Sequence, residues 1–195
     1  MRIFIAGATG VIGVRLVPLL VAEGHDVAGM TRSPEKAEAL RALGAEPVVC
    51  DVFDPSGLTR AMIEFMPELV MHQVTDLPDQ VEQIPAFAER NNRVRTEGTR
   101  NLIAAAKSAG AQRFLAQSIC WEPPAGGETL EEHEEQVLNV GGVVIQYGQL
   151  YGPGTYHEQD VPPPPRIHVD AAARRTVELL DAAPGVIVVA EPDEP

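Results

Sequence analysis

The N-terminal segment constrains the fold of this chain more than any other part. Residues 3–6 form a short apolar run that predicts a buried β-strand, and Gly7, Gly10 and Gly13 follow at three-residue spacing as a helical apolar pattern begins. Gly7 permits a tight turn, Gly10 lets the backbone approach a phosphate, and Gly13 lets the helix pack close to the strand. The helix N-terminus directs free N–H groups toward an anion. This order favours a dinucleotide site over a turn that merely joins two elements.

The cofactor-binding residues expected in this turn are Gly7, Thr9, Gly10, Val11, Ile12 and Gly13.

Composition narrows the class of protein. With 195 residues, 45% of them hydrophobic, the chain is long enough for one globular domain with a buried core. Its net charge of −13 disfavours nucleic acid and anionic membranes as partners and is typical of a well-solvated surface. No apolar run has the length of a membrane span, and the N-terminus is predicted to be a strand rather than a signal peptide. Cys50 and Cys120 cannot form a disulfide framework, so we expect a cytoplasmic protein with no bound metal.

Strands and helices are predicted to alternate, which is typical of a Rossmann-like, doubly wound α/β fold with a parallel sheet. Beyond the first strand, strands are predicted at 27–30, 46–50, 69–72, 113–118, 142–147 and 186–189. Helices are predicted after the glycine turn and at 34–43 and 54–65, and a longer helical stretch at 82–109 is predicted to be interrupted near Pro85 and around the asparagines. Pro18 lies inside the first helix and should kink it, because proline removes one backbone hydrogen bond.

The end of the second strand predicts which dinucleotide fits. An NAD site usually offers a carboxylate there to the ribose 2′-hydroxyl, but residues 30–33 read Met-Thr-Arg-Ser and contain no acid. Arg32 can pair with a 2′-phosphate through charge-assisted hydrogen bonds, and Ser33 can add a hydroxyl. We therefore expect NADP rather than NAD; the alternative is a solvated arginine beside a helix start.

Three residues at the ends of the third and fourth strands are further cofactor candidates. Asp51 can accept a hydrogen bond from an adenine amino group while Val52 packs on the ring; the alternative is an aspartate that turns the chain. His72 lies where a parallel sheet opens its ligand crevice and would touch the nicotinamide side. The alternative for His72 is a histidine whose ring nitrogens are satisfied by neighbouring groups.

A charged run around His133 offers a candidate proton donor. His133 stands among four glutamates at positions 131, 132, 134 and 135, and neighbouring negative charge favours imidazolium. The alternative is a solvated helix face.

These pieces resemble the extended and atypical short-chain dehydrogenase/reductase family, the NAD-dependent epimerase/dehydratase group. The matching segments keep their order along the chain: 7–13, 31–34, Asp51, 98–101, 117–118, 151–154 and 167–170. The resemblance implies a Rossmann fold with a small C-terminal substrate lobe. It also implies that Ser118 stands at the catalytic serine and that the segment beginning at Tyr151 lines the nicotinamide end of the cofactor.

The chain departs from this family in its proton-transfer residues. Family enzymes use a Tyr-x-x-x-Lys pair after the fifth strand, in which the tyrosine transfers the proton and the lysine lowers its pKa. Registering the helix on residues 134–138 puts Gly126 and Leu130 at these two positions. No lysine follows Lys107, and Tyr147 and Tyr151 have no lysine four residues later.

The chain is also short where the family places its substrate lobe. Between Tyr156 and Arg166 stand only five residues and the prolines 162–165, which predict a stiff, extended connector. We expect a Rossmann domain over 1–155 and a remnant of the substrate lobe with the last sheet elements over 156–195. Three functions are open: a weak NADP-dependent oxidoreductase or epimerase, a non-catalytic dinucleotide-binding regulator, or an interaction scaffold. A homodimer is a further expectation.

Overall fold

The protein is built around a seven-stranded parallel sheet. The computed structural model describes residues 1–122 and 127–192. The strands are β1 Arg2–Ala6, β2 Asp26–Thr31, β3 Glu46–Val49, β4 Leu69–His72, β5 Arg113–Ile119, β6 Val143–Tyr147, β7 Gln149–Tyr151, β8 Arg166–His168 and β9 Gly185–Val189. Seven of them form the main sheet in the order β3-β2-β1-β4-β5-β6-β9, and β7 and β8 pair in a separate two-stranded sheet.

Helices connect the strands and cover both faces of the sheet. They are α1 Gly13–Ala22, α2 Ala37–Ala42, α3 Pro55–Phe65, α4 Ile84–Arg93, α5 Thr99–Ser108, α6 Gly127–Leu138 and α7 Val169–Val177. A π-helical segment, Val94–Gly98, joins α4 to α5. Within the two described ranges, no helix is both long and apolar enough to cross a membrane.

The sheet has a buried layer on each face, which explains the continuous apolar run of β1. Ile3 and Ile5 pack into one layer with Leu16 of α1 and Ala172 of α7. Phe4 packs into the other with Leu58 of α3 and further residues of α5. A strand buried on both faces needs apolar residues at every position, because successive side chains point to opposite sides.

The direction of winding reverses between β1 and β4. β2 and β3 extend the sheet on one side of β1, while β4, β5, β6 and β9 extend it on the other. In open parallel sheets such a reversal leaves a crevice at the carboxyl ends of the strands, where ligands bind. The glycine turn that follows β1 lies at this crevice.

The predicted fold class is confirmed, and the differences are local. The helix predicted at 34–43 is a 3₁₀ turn, Pro34–Lys36, followed by the six-residue α2. The stretch predicted at 82–109 runs from the 3₁₀ turn Val81–Gln83 through α4 and the π-helical segment to Ser108. Pro18 is exposed inside α1 and does not end it. The strands β7 and β8 and the helix α7 had no sequence prediction.

Candidate cofactor-binding site

The three glycines of the turn lie in different environments, and a side chain at each would have a different effect. Gly7 has φ +87°, and a Cβ there would lie 2.5 Å from the carbonyl oxygen of Gln73. A Cβ on Gly13 would overlap the carbonyl oxygen of Gly7 and the backbone of Ala8. Gly10 is exposed, and a Cβ there would approach one atom, the Gly7 carbonyl oxygen, at 3.3 Å. Gly7 and Gly13 are therefore required by the turn itself, whereas Gly10 leaves an open surface beside the start of α1.

This geometry fits the diphosphate of a dinucleotide. Val14 donates its backbone N–H to the carbonyl of Gly10 at 3.0 Å, so the helical hydrogen bonding starts at the turn. The first N–H groups of a helix have no partner within the helix and can bind an anion. A side chain at Gly10 would occupy the space that an approaching phosphate needs.

The remaining turn residues hold the turn in place more than they present side chains. Ile12 is buried in the core, and Val11 is half-buried. The hydroxyl of Thr9 donates to the hydroxyl oxygen of Thr31 at 3.3 Å, and that oxygen also accepts the backbone N–H of Ser33 at 3.2 Å. The glycine turn is thus tied to the end of β2, where Arg32 and Ser33 follow.

Arg32 is paired with a buried carboxylate instead of extending freely into solvent. Its Nη2 lies 3.1 Å from Oδ1 of Asp76, which is 4% exposed, while the Arg32 side chain itself is 58% exposed. Arg90 of α4 binds the same carboxylate, with Nη2 3.0 Å from Oδ2. Two guanidinium groups therefore contact one carboxylate beside the end of β2. The sequence analysis identified Arg32 but not Arg90.

Asp51 and Val52 both shape the chain after β3. The carboxylate of Asp51 accepts the backbone N–H of Phe53 at 2.9 Å, as in the alternative of an aspartate that turns the chain. Val52 is 5% exposed, and its side chain lies against Gly98 in the core. Its carbonyl accepts the side-chain amide of Asn101 at 3.0 Å.

His72 is buried, and both of its ring nitrogens are occupied. Its Nδ1 accepts the backbone N–H of Val74 at 3.2 Å, so its Nε2 carries the proton and donates it to the hydroxyl of Thr99 at 3.1 Å. Thr99 in turn donates to Nδ1 of His133 at 2.7 Å, and Nε2 of His133 donates to the carbonyl of Gln117 at 2.9 Å. When both histidines are neutral, each hydrogen bond in this series has one donor and one acceptor.

The expectation that neighbouring carboxylates favour the protonated form of His133 is wrong. His133 is 2% exposed, and burial lowers its pKa below the ordinary value. Burial also lowers the pKa of His72, well below its usual range, and the nearby His133 adds to this effect. Helical spacing turns His133 inward, while the exposed glutamates of the run lie on the solvent side of α6. His133 is therefore a buried link between α6 and the sheet, and burial disfavours its protonated form.

Ser118 also faces α6. It is 2% exposed, and its hydroxyl donates to the carboxylate of Glu134. The same carboxylate accepts the side-chain amide of Gln146, the β6 residue paired with Ser118, at 2.9 Å. Leu130, which the sequence register predicts at the position of the family lysine, is half-buried on this helix, and Gly126 lies outside the described residues.

Tyr151 is engaged at the small sheet. Its hydroxyl donates to Oε1 of Glu191 at 2.6 Å, and Oε2 of Glu191 binds Nε of Arg166 at 3.2 Å. The hydrogen bond to Glu191 raises the pKa of Tyr151. Its ring stands edge-on to that of His168, with centroids 5.2 Å apart. These contacts join β7 and β8 to the segment after β9.

Tyr147 is the second tyrosine near the crevice. It is 2% exposed, and its hydroxyl lies 2.5 Å from the hydroxyl of Thr176, which donates to the carbonyl of Ala172. Tyr147 therefore donates its own proton to Thr176. Burial raises its pKa to about 12. The side chain of Gln73 lies beside the Tyr147 hydroxyl and, like Thr176, partly offsets this rise of the pKa.

Two side chains that the sequence analysis did not identify, Arg15 and Tyr156, join the C-terminal part to the crevice. Arg15 of α1 binds Asp170 of α7 at 2.6 Å, the carbonyl of Val11 at 2.7 Å and the carbonyl of Pro153 at 2.6 Å. The hydroxyl of Tyr156 donates to the carbonyl of Pro78 in the segment after β4. The segment that follows Tyr151 thus contacts both sides of the crevice. Their sequence separations give no signal that would pair them.

The described residues contain no group of three or more histidine, cysteine or acidic side chains that could hold a metal ion. Fold and site together define a class: a Rossmann-type protein whose glycine turn fits a dinucleotide.

Comparison with known proteins gives the family. The chain belongs to the NAD dependent epimerase/dehydratase family, whose model matches residues 3–139. It is 36% identical over 186 residues to a 3-diazoavenalumate denitrifying reductase from a Streptomyces species, an alignment covering 82% of this chain and 60% of that protein. It is 33% identical over 136 residues to the UDP-glucose 4-epimerase of Mycolicibacterium smegmatis, covering 64% of this chain and 42% of the epimerase.

The fold has close counterparts among solved structures. The UDP-glucose 4-epimerase of Thermus thermophilus, solved as a complex with NAD, superposes with a TM-score of 0.80 at 20% identity and covers 97% of this chain and 78% of its own. That of Thermotoga maritima, solved with UDP-glucose, has a TM-score of 0.78 at 16% identity and covers 97% of this chain and 77% of its own. The likeness shows the fold. The chain spans about 60% of the length of the denitrifying reductase that it matches.

Proposed function

We propose that this chain binds NADP(H), with the diphosphate at the turn 7–13 and the 2′-phosphate at Arg32. The observation that carries the proposal is the open surface at Gly10, tied through Thr9 and Thr31 to the arginine at the end of β2. A carboxylate that would bind the ribose 2′-hydroxyl and repel a 2′-phosphate is missing from residues 30–33. Solved relatives contain NAD, so the chain's preference for the phosphorylated cofactor is the specific part of the proposal.

The activity we propose is a slow reduction or epimerisation that does not use the family's tyrosine and lysine. Characterised relatives include a reductase and an epimerase, which supports a hydride-transfer reaction. NADPH would supply the hydride. The proton would not come from His133, which is buried with a lowered pKa, or from Tyr147, whose hydroxyl donates to Thr176. Ser118 is the remaining candidate to hold a substrate oxygen, and Tyr151 is the remaining candidate to supply the proton.

A second function, a non-catalytic dinucleotide-binding regulator, has its own supporting observation. The hydroxyls of Ser118 and Tyr151 both donate to carboxylates, Glu134 and Glu191. Substrate would have to displace these acceptors, and Leu130 cannot supply the missing charge. Cofactor binding without turnover is the outcome that favours this function.

The proposal is tested by calorimetric titration of the parent and Arg32→Ala with NADPH and NADH. NADPH should bind the parent more tightly than NADH does. Arg32→Ala should lose about 1.5–3 kcal/mol of NADPH binding, the usual worth of a hydrogen bond to a charged group, while NADH binding should barely change. Lys36→Ala, which removes an exposed cation shortly after Arg32, is the matched control. Equal affinity of the parent for both cofactors would contradict the proposed preference.

A further inference from the structure

The buried carboxylate of Asp76 gathers two arginines from different parts of the fold. Its Oδ1 lies 3.1 Å from Nη2 of Arg32 and 3.2 Å from Nη2 of Arg90. Because both nitrogens contact the same oxygen atom, the distance between the two nitrogens cannot exceed the sum of these two hydrogen-bond lengths. A phosphate group, with several acceptor oxygens, can span such a pair of guanidinium groups.

The position of Asp76 is fixed from the backbone as well. Its N–H donates to the side-chain oxygen of Asn91 at 3.0 Å, and Asn91 is itself buried. Arg90 is held from a second side, since its guanidinium lies over the ring of Phe87 at 4.7 Å. The two arginines therefore do not need to be ordered when a ligand arrives, which lowers the entropic cost of binding.

The charge of this cluster favours an anion. Two guanidinium groups and one carboxylate leave one net positive charge, in a chain whose net charge is −13. The Arg32 and Arg90 side chains remain 58% and 53% exposed, so each can meet a ligand while it stays bound to Asp76.

We infer that Arg90 is a second phosphate-binding residue of the dinucleotide site and that Asp76 is the positioning residue that holds it beside Arg32. The inference rests on the proposed function, because it requires that Arg32 face the 2′-phosphate. The specificity for NADP then depends on α4 as well as on the end of β2. Nothing at position 90 of the sequence indicates this role, since the two arginines are 58 positions apart.

The test compares NADPH and NADH binding to the parent, Arg90→Ala and Asp76→Asn by calorimetry at low ionic strength. Arg90→Ala should weaken NADPH binding about tenfold, as expected for one lost charge-assisted hydrogen bond, and leave NADH binding within about twofold. Asp76→Asn should also lower the ratio of NADPH to NADH affinity, because the arginines lose their common partner. A merely structural role of either residue would weaken both cofactors equally. Arg100→Ala, which removes an exposed arginine of α5 paired with Glu132, should leave the ratio unchanged.

The outcomes separate this inference from the proposed function. If the parent prefers NADPH and Arg32→Ala loses the preference, but Arg90→Ala keeps the parent's ratio, the role of Arg90 is wrong and the proposed function stands. If the parent has no preference for NADPH, the proposed cofactor preference itself fails. Retained NADH binding shows that a variant is folded, and Arg90→Gln replaces Arg90→Ala if the latter does not fold. An unchanged ratio in Asp76→Asn would overturn the positioning role.

Discussion

Gly10 differs from the other two glycines of the turn because its missing side chain faces open surface. We predict that Gly10→Val loses dinucleotide binding while the fold survives, since its Cβ meets only the Gly7 carbonyl at 3.3 Å. Calorimetry with NADPH measures the binding, and thermal unfolding measures the fold. Gly13→Ala should instead destabilise the protein, because its Cβ overlaps the backbone of the turn.

Gly127→Val, at a position where a Cβ meets nothing within 4 Å, is the control for an added side chain on an exposed helical glycine. NADPH affinity equal to that of the parent in Gly10→Val would show that the phosphate does not approach this part of the turn.

At the same scale, the sequence predicts residues whose role depends on their immediate neighbours and misses those whose partners are distant. The glycine turn and the place of Arg32 at the end of β2 are predicted because a turn and the end of a strand are local features. The contacts of Arg90 and Thr99 are not predicted, because their partners are brought to them only by the folded sheet. The prediction for His133 was wrong for the same reason: four adjacent glutamates are visible in the sequence, but the inward direction of its helix face is not.

Among the elements, α5 and α6 are tied to the sheet by the hydroxyl of Thr99. It accepts from His72 of β4 and donates to His133 of α6. We predict that Thr99→Val destabilises the protein by about 2–4 kcal/mol, because it leaves a buried donor and a buried acceptor without partners. Urea unfolding at neutral pH measures this.

Thr59→Val is the matched control. The hydroxyl of Thr59 donates to the carbonyl of Pro55 near the protein surface, and its loss should cost under about 1 kcal/mol. Equal destabilisation of the two variants would show that the buried hydrogen bonds from His72 through Thr99 to His133 contribute no more to the free energy of unfolding than one surface hydrogen bond.

The two buried histidines also make the stability of these elements depend on pH. Burial lowers the pKa of both in the folded state, so the unfolded chain binds more protons once the pH falls below its own histidine pKa of about 6.5. The free energy of unfolding should therefore be constant near pH 7.5 and fall as the pH is lowered from about 6.5 toward 5. Denaturant titrations across this range measure the slope.

His72→Gln and His133→Gln each remove one of the two buried histidines, so each variant should reduce this slope. Carboxylates with lowered pKa values, such as Asp170 beside Arg15, change the free energy of unfolding at lower pH than the histidines do. A free energy of unfolding that does not change between pH 7.5 and 5 would rule out two neutral buried histidines.

For the molecule as a whole, hydrophobic patterning predicts the doubly wound sheet because each strand and helix carries its own periodicity. The strands of the main sheet follow their apolar runs closely. The small sheet of β7 and β8 is different: each strand has three residues, too few for a periodic signal. Its place beside the crevice depends on Arg15 and Tyr156, whose partners lie 138 and 78 positions away. The small sheet and the segments around it are therefore the part of the molecule that sequence alone predicts least.

The arrangement of the whole crevice predicts slow turnover. The sequence register predicts Leu130 at the position of the family lysine, and the hydroxyls of Ser118, Tyr147 and Tyr151 already donate to other groups. General acid catalysis typically contributes about 10²–10⁴-fold, so its loss leaves a slow enzyme rather than none.

We predict weak NADPH oxidation in a screen of aldehydes, ketones and nucleotide sugars, and a further decrease of this oxidation rate in Ser118→Ala. Ser108→Ala, which removes an exposed hydroxyl of α5 bound to the carbonyl of Ala104, should match the parent. Fast turnover that Ser118→Ala abolishes would show that the Ser118 hydroxyl leaves the Glu134 carboxylate to bind substrate and that the site is fully active. NADPH binding with no oxidation of any substrate would favour the regulator instead.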